Sequence, residues 1–445
     1  MPPAQRQRIA VVGSGISGIS AAWLLRDIHD VTLFEKDSRP GGHTCTVDVD
    51  YDGTPIPVDV GFIVFNTRNY PNLCGLFDNI GVASEDTNMS FAMSLDGGAR
   101  EWCGQSLSAV FAQRGNLVSL GFWSMLLDVL KFNRHATRDR DSGAIDGLSI
   151  GQYLTKRKLS ARFRDDYLIP MAAAIWSTPE TRIMDFPAKS LINFFENHRL
   201  LEVVPPLWRT VSGGSRTYHS KLMTDLGERA RIGTGVTTIE RPATGGATIT
   251  DTNGETTHFD QVIIAAHSDQ ALAMLGDATG MEQSILGNIK YRPNRVVLHR
   301  DARFMPKRKK AWAAWNTLRD SNKGDDSDLT LTYWMNKLQN IDNDYPLFVT
   351  LNPTTEPDPA LVFGEWSFDH PQYDAAAFDA QARLPTIQGN RATWFAGAWT
   401  GYGFHEDGLK SGMAIARALG ATIPWQSDGP TAADVQTLAL PEAAE

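Results

Sequence analysis

The sequence predicts an α/β protein in which a domain built on a parallel β-sheet is interrupted twice by segments of a second, α+β domain. An apolar run, Ile9–Val12, leads directly into the glycine-spaced turn Gly13–Gly18 and then into a helical pattern ending near Leu25. A second apolar run, Val31–Phe34, follows at the spacing of a β-α-β unit. Further apolar runs that resemble these two strands occur later in the chain. Two long segments, whose hydrophobic periodicity differs from that of the β-α-β unit, lie between them. These three observations together predict the fold class.

The turn Gly13–Gly18 has the glycine spacing of a dinucleotide cradle. The first glycine permits a tight turn, the second lets the backbone approach a pyrophosphate, and the third lets the helix pack on the strand with its N-terminus aimed at the phosphates. The second strand ends at a glutamate whose carboxylate is placed to bind ribose hydroxyls. The cofactor-binding residues predicted in this unit are Gly13, Gly15, Ser17, Gly18, Glu35 and Lys36.

A second glycine pair distinguishes between NAD and FAD. Ser38–Gly42 forms a loop with exposed amides that suit a second approach to phosphate, where a nicotinamide domain would pass into another helix. The loop favours FAD, and an ordinary turn is the alternative interpretation. The contacts predicted in this stretch are Arg39, Gly41, Gly42, His43, Thr44 and Gly61.

The C-terminal part contains a strand and loop that lead into a helix, Phe395–Trp399 followed by His405–Gly412. Together with the N-terminal motifs, this segment resembles the closing flavin motif of the flavin-containing amine oxidase and phytoene desaturase superfamily. In that superfamily the loop contacts the pyrophosphate and ribityl chain, and the helix end faces the isoalloxazine. The resemblance implies an amine-oxidase-like two-domain fold, a Rossmann-like FAD-binding domain with an inserted substrate domain. It also implies cofactor contacts from Gly397, Asp407, Gly408 and Leu409.

The middle of the chain carries a further resemblance to the superfamily. Gly233–Val236 and Val262–Ala266 are similar to its middle flavin segment, where a valine backbone meets the adenine. The resemblance implies cofactor contacts from Val236 and Ala265. The alternative is that Val236 is only a strand residue.

The segments divide into two predicted domains and a tail. Residues 1–65, 209–275 and 393–425 are assigned to the FAD-binding domain, and residues 66–208 and 276–392 to the substrate domain. The first insertion is mostly helical in periodicity, and the second mixes strand patterns with loops rich in Asp, Asn and Pro. Residues 426–445 form the predicted C-terminal tail.

Composition agrees with a large enzyme. The chain has 445 residues, 42% of them hydrophobic, and a net charge of −9, which argues against general binding of nucleic acid. It has no apolar stretch long enough to cross a bilayer, and its first strand begins too early for a signal peptide, so a cytoplasmic protein is expected. Cys45, Cys74 and Cys103 lack metal-ligand spacing and predict ordinary thiols with no metal site. They also lie far from the region where some superfamily members attach flavin through cysteine, which implies non-covalent FAD.

Two segments are candidates for contact with a membrane surface. Lys307–Lys310 leads to Trp312, a combination of cations and aromatics that suits an anionic membrane, and a solvated loop is the alternative. Leu117–Phe132 is apolar apart from Asp128 and Lys131. It is either a buried helix that lines a substrate tunnel or a helix that dips into lipid. The second interpretation predicts a peripheral position at the inner face of the membrane.

The resemblance also suggests catalytic residues, because chemistry in the superfamily is hydride transfer to flavin N5. His405 aligns with an aromatic residue that lies over the isoalloxazine, and an imidazole there, next to Tyr402, is a predicted general base. The alternative for His405 is a turn residue that is hydrogen-bonded to the backbone. Trp399 is predicted either to form the other wall or to fill the core. Arg295 aligns with the lysine that holds a water at N5 in amine oxidases, and a guanidinium there argues against ordinary amine oxidation.

A closer resemblance covers nearly the whole chain. Its motifs are Ala174–Ser177, Trp208–Ser215, Arg308–Asn316 and Gly401–Gly408. They are similar to a bacterial subgroup of NAD/FAD-binding proteins, some allied with cyclopropane-fatty-acid-synthase-like methyltransferases, and one member type dehydrogenates methylated unsaturated fatty acyl chains on the route to furan fatty acids. The resemblance implies an FAD-dependent desaturase of a lipid or fatty acyl substrate, with a lipid methyltransferase as a partner. The alternatives are a flavin amine oxidase acting on a soluble amine and a non-catalytic flavin-binding partner of the methyltransferase.

Overall fold

The computed structural model describes residues 6–176, 180–202, 207–319 and 329–426. The predicted tail from residue 427 onward lies outside these ranges. The strands are β1 (Arg8–Val12), β2 (Asp30–Glu35), β3 (Thr46–Tyr51), β4 (Thr54–Asp59), β5 (Val64–Asn66), β6 (Ser84–Thr87), β7 (Phe91–Leu95), β8 (Arg100–Cys103), β9 (Trp208–Val211), β10 (Ala230–Ile232), β11 (Val236–Glu240), β12 (Ala247–Asp251), β13 (Thr256–Phe259), β14 (Gln261–Ile264), β15 (Lys290–His299), β16 (Trp315–Arg319), β17 (Thr330–Trp334), β18 (Phe348–Leu351), β19 (Val362–Gln372) and β20 (Thr393–Phe395).

The α-helices lie mainly in the first insertion and around the parallel sheet. They are α1 (Ile16–Leu25), α2 (Pro71–Ile80), α3 (Leu107–Val110), α4 (Leu120–Asp141), α5 (Ile150–Lys156), α6 (Ala161–Phe163), α7 (Ile169–Trp176), α8 (Glu180–Ile183), α9 (Ala188–Asn197), α10 (Arg216–Leu226), α11 (Ser268–Met274), α12 (Gly280–Leu286), α13 (Met335–Leu338), α14 (Ala375–Arg383) and α15 (His405–Ala418).

A parallel sheet in the order β10-β2-β1-β14-β20 forms the centre of the nucleotide domain. Its strands read as nearly continuous apolar runs because both faces are covered. Val11 and Leu33 face a core shared with α1, α10 and α15, while Ala10 and Phe34 face a core that includes residues of the antiparallel sheet β11-β12-β13. The predicted α/β fold with an inserted α+β part is therefore confirmed.

Helices α1 and α15 are in close contact because glycines lie where they meet. A Cβ on Gly412 would lie 2.3 Å from the carbonyl oxygen of Ser17, and a Cβ on Gly408 would lie 2.9 Å from the hydroxyl oxygen of Ser17. Side chains at these positions would push the helices apart. The two helices therefore begin next to each other, at the edge of the sheet where ligands bind in doubly wound folds.

The inserted segments share one seven-stranded sheet in the order β19-β15-β18-β17-β16-β7-β8. Strands β7 and β8 come from the first insertion and β15 to β19 from the second, and all pairs are antiparallel except β16 with β7. Helices α4 to α9 of the first insertion complete this part of the molecule.

The apolar segment Leu117–Phe132 contributes most of its length to α4. The helix begins at Leu120, where the Ser119 side chain accepts a hydrogen bond from the amide of Phe122. One face of α4 is buried, as the interpretation of a buried helix predicts. The opposite face is exposed, as the interpretation of a helix at a lipid surface requires. The buried apolar residues are Phe122, Met125, Phe132 and Ala136, and the exposed ones are Leu120, Trp123, Leu127 and Leu130. Among the helices of the described ranges, none has both the length and the apolar character needed to span a bilayer.

Candidate active site

The first glycine turn combines two packing glycines with one that faces open space. Gly13 has φ +103°, and a Cβ there would lie 2.6 Å from the carbonyl oxygen of Ala265. A Cβ on Gly18 would lie only 1.9 Å from the carbonyl oxygen of Gly13. By contrast, a Cβ on Gly15 would meet nothing within 4 Å. The backbone at Gly15 is thus open to a ligand, whereas Gly13 and Gly18 allow the turn to close.

The second glycine pair lies against the first turn. Gly41 and Gly42 both have positive φ, +114° and +55°, and a Cβ on Gly42 would lie 3.5 Å from the Cα of Gly15. Ser14 joins the two turns, since its hydroxyl accepts the amide of Gly41 at 2.9 Å and donates to the carboxylate of Glu35. The Ser14 amide donates to the same carboxylate at 3.0 Å. The two motifs predicted to bind phosphates therefore form one cradle.

The far rim of this cradle is built by the turn between β10 and β11. The amide of Thr234 donates to the backbone carbonyl of Glu35 at 2.7 Å. A Cβ on Gly235 would lie 3.0 Å from the Cβ of Lys36. Val236 then begins β11 beside the end of β2. The structure thus brings Glu35, Lys36 and Val236 to one rim, and their contacts with the adenosine part of a cofactor remain predictions.

Arg39 and Gly61 shape the second glycine loop. The Arg39 guanidinium donates to the carbonyls of Gly42 at 2.9 Å and Thr44 at 3.1 Å. A Cβ on Gly61 would lie 2.1 Å from the carbonyl oxygen of His43. Both residues therefore hold the loop in its conformation, a role that does not depend on direct contact with a cofactor.

The closing motif is fixed by a buried carboxylate. Asp407 accepts hydrogen bonds from the amides of Tyr402 and Phe404, each at 3.0 Å, and so closes the loop before α15. Burial raises the pKa of Asp407 to about 6. Gly408 then lies against Ser17 at the start of α1. The positive ends of two helices meet at the cradle, an arrangement that favours phosphate groups.

Two further predicted contacts of this motif lie within the same packing. The amide of Gly397 donates to the hydroxyl of Ser411 at 3.0 Å. The Leu409 side chain is fully buried in the core shared with α1. Any contact of these residues with a cofactor is therefore limited to the backbone at Leu409 and to the surface of the turn at Gly397.

The residues present fit a dinucleotide whose phosphates lie beside Gly15, because that space is open and lined by two glycine turns and two helix N-termini. The family described as flavin containing amine oxidoreductase matches residues 16–337. The chain belongs to this family. A flavin cofactor follows from the membership.

Several known proteins are similar to this flavin amine oxidoreductase. A hydroxyneurosporene desaturase of Rubrivivax gelatinosus is 40% identical over 87 residues, which is 19% of this chain and 14% of that protein. A putrescine oxidase double mutant has a TM-score of 0.67 at 14% identity, covering 93% of this chain and 99% of that one. A CLA-producing fatty acid isomerase from P. acnes has a TM-score of 0.65 at 15% identity, with the same coverages of 93% and 99%. At these identities the two structures show a shared fold.

The structure contradicts the predicted role of His405 as a base. Its Nε2 lies 2.8 Å from the hydroxyl of Tyr218 and 3.2 Å from that of Thr44, and its ring stacks on Phe62 with centroids 3.8 Å apart. Burial lowers the pKa of His405 to about 3. Its Nε2 is thus engaged by two hydroxyls and its ring is only 9% exposed, so this nitrogen is not presented to a substrate. The partners are side chains and His405 is the first residue of α15, so the alternative of a turn residue bonded to the backbone does not describe it either.

The structure also places Trp399 and Arg295, the two other predicted catalytic residues. Trp399 is only 2% exposed and donates from Nε1 to the carbonyl oxygen of Ala266 at 3.1 Å, so the core-filling interpretation describes it. The guanidinium of Arg295 donates to Glu356 at 2.8 Å and to Glu365 at 2.7 Å, and the side chain is 38% exposed. The catalytic prediction for Arg295 is therefore wrong, because these carboxylates hold it in a surface ion-pair group formed by β15, β19 and the segment between β18 and β19.

Tyr402 belongs to an aromatic wall whose centre, Phe194 of α9, is buried and whose half-buried members are His198, Tyr402 and Phe404. The Phe194 ring lies 6.1 Å from that of Tyr402, 5.2 Å from Phe404 and 4.7 Å from Trp176, and it stacks on His198 at 3.8 Å. The first two of these partners directly precede α15, whose start faces the isoalloxazine in the family. The sequence predicted Tyr402 in this region, and its direct role in the reaction remains a prediction.

A group of imidazoles lies beside the second glycine loop. The ring of His43 is 5.4 Å from His370 and 6.4 Å from His267, and it packs on Phe368 at 5.0 Å. Asn294 approaches Nδ1 of His370 at 3.1 Å, which fits donation by the amide to an unprotonated nitrogen. Burial lowers the pKa of His370 to about 4 and holds those of His43 and His267 below their usual range. The group is therefore neutral at physiological pH.

His267 has a nitrogen available for chemistry. Its Nδ1 is buried and makes no hydrogen bond to the described part of the chain, and its ring stacks on Tyr291 with centroids 4.4 Å apart. The Tyr291 hydroxyl accepts the amide of Ser268 at 3.0 Å, which fixes the tyrosine next to the imidazole. His267 follows the last residue of β14 by three positions, at the carboxyl edge of the parallel sheet. It is not among the residues predicted from the sequence, although a histidine just after Val262–Ala266 was a usable signal.

Proposed function

We propose that the protein is an FAD-dependent oxidoreductase that desaturates a methylated unsaturated fatty acyl chain carried on a phospholipid. The two glycine turns and the paired helix N-termini supply the phosphate site that FAD requires. Cys45, Cys74 and Cys103 are free thiols, and burial raises the pKa of each, that of Cys74 to about 11. Protonated thiols are poor nucleophiles, which supports non-covalent binding of the flavin.

One observation carries the choice of an apolar substrate: the wall around Phe194 is aromatic, while the carboxylates at the start of α15 are already engaged. Glu406 accepts from the amides of Asn72 and Leu73 at 3.1 and 3.0 Å, and Asp407 holds the loop before α15. Burying the cation of an amine without a partner is costly, whereas an acyl chain gains free energy against aromatic rings. A fold shared with both an amine oxidase and a fatty acid isomerase does not decide between them, and we infer the apolar substrate from the composition of the wall.

When bound, FAD supplies a hydride acceptor at N5. The aromatic wall would hold the acyl chain and keep water away from the reacting carbons, and the neutral imidazole of His267 would take the neighbouring proton at Nδ1. Two C–H bonds break and one C=C bond forms. The starting lipid already carries a methyl branch, so a lipid methyltransferase must supply it, and we propose such an enzyme as the partner.

Anaerobic mixing of the holoprotein with lipids tests this function. A methylated monounsaturated phospholipid should bleach the flavin absorbance, and the unmethylated phospholipid should bleach it far more slowly because its C–H bonds are less activated. Bleaching by polyamines without any response to acyl lipids would overturn the proposal in favour of amine oxidation. Absence of bleaching by either class, with co-purification of a lipid methyltransferase, would instead favour a non-catalytic flavin-binding partner.

A further inference from the structure

Most of the exposed large apolar side chains in the described part of the chain lie close together in sequence. They come from α3, the turn Arg114–Val118 and the first half of α4, and we call them the apolar stripe. Its members, with the exposed fraction of each, are Leu107 (80%), Leu117 (51%), Val118 (85%), Leu120 (87%), Trp123 (43%), Leu127 (63%) and Leu130 (60%). The remaining large exposed apolar residues of this part are Ile28, Leu207, Ile232 and Met281. A concentration of this kind marks an interaction surface.

The part of the stripe on α4 runs along one helical face. Counting from Leu120, its members recur at the spacing i, i+3, i+7 and i+10, which places them on a single side of the helix. The same side continues with Arg134 and Arg138, both exposed. The helix therefore presents one exposed face that is apolar toward its N-terminus and cationic toward its C-terminus.

A second group of cations borders the stripe at its other end. Ala109 of α3 and Ala311 belong to the same small cluster of buried residues, which brings the segment Lys307–Lys310 next to α3 and its exposed Leu107. Within that segment Arg308 forms an ion pair with Glu101 at 2.8 Å, while the three lysines are exposed. The basic segment and α3, which are separate in the sequence, are therefore neighbours in the fold.

Trp312, which the sequence predicts beside the lysines at a membrane surface, is half-buried, and its contact with a membrane remains a prediction. Its Nε1 donates to the carbonyl oxygen of Pro306 at 2.7 Å, and its ring packs edge-on against Trp334 at 5.3 Å. Trp123 is the tryptophan exposed within the stripe, and its Nε1 donates to the carbonyl of Leu117 at 2.9 Å.

Two acidic side chains of α4 are engaged away from the stripe, and the third ends the helix in an ion pair. Asp128 accepts the amide of Ser160 at 2.8 Å, and buried Asp139 is held by Arg157 and by the hydroxyl of Tyr153. Asp141, the last residue of α4, is exposed and pairs with Arg140 at 2.7 Å. The exposed charges of α4 nearest the stripe are therefore those of Arg134 and Arg138, although the whole chain carries a net charge of −9.

We propose that the apolar stripe and its flanking cations dock on the surface of an anionic phospholipid bilayer. An interfacial helix buries its apolar face at the boundary of headgroups and acyl chains while arginine and lysine side chains bind lipid phosphates. A second copy of this chain would bind the stripe less well than a bilayer does. In a two-fold dimer the same surface of both copies is buried, so the cations of both copies would repel one another within one interface.

Docking here would place the lipid close to the aromatic wall. On the buried side of α4, Phe132 lies 6.4 Å from Phe195, the neighbour of Phe194 in α9. Only the thickness of α4 thus separates the stripe from aromatic residues that lead to the wall. The purpose of docking, delivery of acyl chains, rests on the proposed function, whereas the binding itself does not.

Flotation of the holoprotein with vesicles tests the inference without turnover. We expect binding to phosphatidylcholine vesicles that contain phosphatidylglycerol, weaker binding to phosphatidylcholine alone, and a decrease with salt. The combined variant Leu120→Ser, Leu127→Ser and Leu130→Ser should lose at least about tenfold in vesicle affinity. Arg134→Gln with Arg138→Gln should lose about fivefold on the anionic vesicles only.

The matched control is Ile28→Ser with Met281→Ser, which removes exposed apolar groups outside the stripe and should bind vesicles as the unmodified protein does. Flavin absorbance and the unfolding temperature report whether each variant is folded. Unchanged vesicle binding by the folded triple leucine variant would overturn the inference. It would also be overturned if light scattering showed that this variant loses a dimer formed by the unmodified protein while its vesicle binding stays the same. If the unmodified protein does not bind vesicles but detergent-dispersed lipid still bleaches its flavin, only the docking proposal is rejected. If it binds vesicles but no lipid bleaches its flavin, only the proposed function is rejected.

Discussion

The two ends of the site are built from different parts of the polypeptide. The cradle is lined by the backbone of glycine turns at Gly15 and Gly42, and short local hydrogen bonds from side chains such as Ser14 hold these turns together. The substrate end consists of rings from distant elements, among them His267, His370 and Phe194. The difference implies that flavin binding and turnover depend on separate residues, so that substitutions should be able to change one without the other.

The largest effect is expected within the cradle itself. Gly18→Ala would place a Cβ 1.9 Å from the carbonyl oxygen of Gly13, so the turn or α1 must shift. We expect a loss of about 4 kcal/mol or more in the free energy of unfolding, measured by urea denaturation of the apoprotein. A Gly18→Ala protein as stable as the unmodified one would show that this contact does not hold the turn.

Gly15→Ala should separate cofactor binding from folding. Its Cβ meets no protein atom within 4 Å but would occupy the space assigned to the pyrophosphate. We expect the apoprotein to unfold as the unmodified one does, while affinity for FAD, titrated by flavin fluorescence, falls about a thousandfold. Gly280→Ala is the control, because a Cβ there also meets nothing within 4 Å but lies outside the cradle. Equal FAD affinity in both variants would show that the phosphates of FAD do not lie beside Gly15.

At the other end, His267→Gln should slow turnover while FAD stays bound. The substitution removes the proposed proton acceptor, and flavin reduction by the methylated phospholipid in a stopped-flow instrument should slow about a hundredfold. His258→Gln, on β13, is the matched control and should reduce at the normal rate. A rate for His267→Gln within a factor of two of normal would exclude this histidine as the base.

His405→Gln should change acid stability more than chemistry. The pKa of His405 is near 6.5 unfolded and about 3 folded, so between these values the unfolded chain binds a proton that the folded chain does not. Stability therefore falls on acidification through this window by roughly 1.4 kcal/mol per pH unit, a contribution that the glutamine variant lacks. Asp59 and Asp407, whose pKa values burial raises to about 6, act in the opposite direction in both proteins and cancel in the comparison.

Urea denaturation at several pH values would show a shallower acid slope for His405→Gln. Identical slopes would contradict the buried, neutral state of His405. A folded, flavin-loaded variant that no longer reduces its flavin would restore His405 as the base.

The smallest effect is expected at Arg295. Its ion pairs with Glu356 and Glu365 are partly exposed, and such pairs contribute about 1 kcal/mol or less. Arg295→Gln should therefore leave flavin reduction unchanged and shift the urea midpoint only slightly. Slow flavin reduction in the Arg295→Gln variant would support the sequence-based prediction that this guanidinium lies near the flavin.

The sequence predicted the cradle well because its constraints are local. Gly13 and Gly18 contact each other five residues apart, and the strand before them and Glu35 after them belong to one β-α-β unit. The seven-stranded sheet and the imidazole group depend on long-range pairing, for example β15 with β19, which brings Asn294 to His370. No spacing along the chain signals such a contact. Arg295 and His405 were misplaced, and the choice between wall and core for Trp399 stayed open, because alignment to a motif gives the position of a residue but not the direction of its side chain.

The proposed desaturation is tested most directly by mass spectrometry of a methylated monounsaturated phospholipid after aerobic incubation with the flavin-loaded protein. We expect a product lighter by two hydrogen atoms, with the new double bond conjugated to the original one, and almost no product with His267→Gln. An unchanged lipid mass, together with release of peroxide from a polyamine by the same preparation, would contradict this proposal.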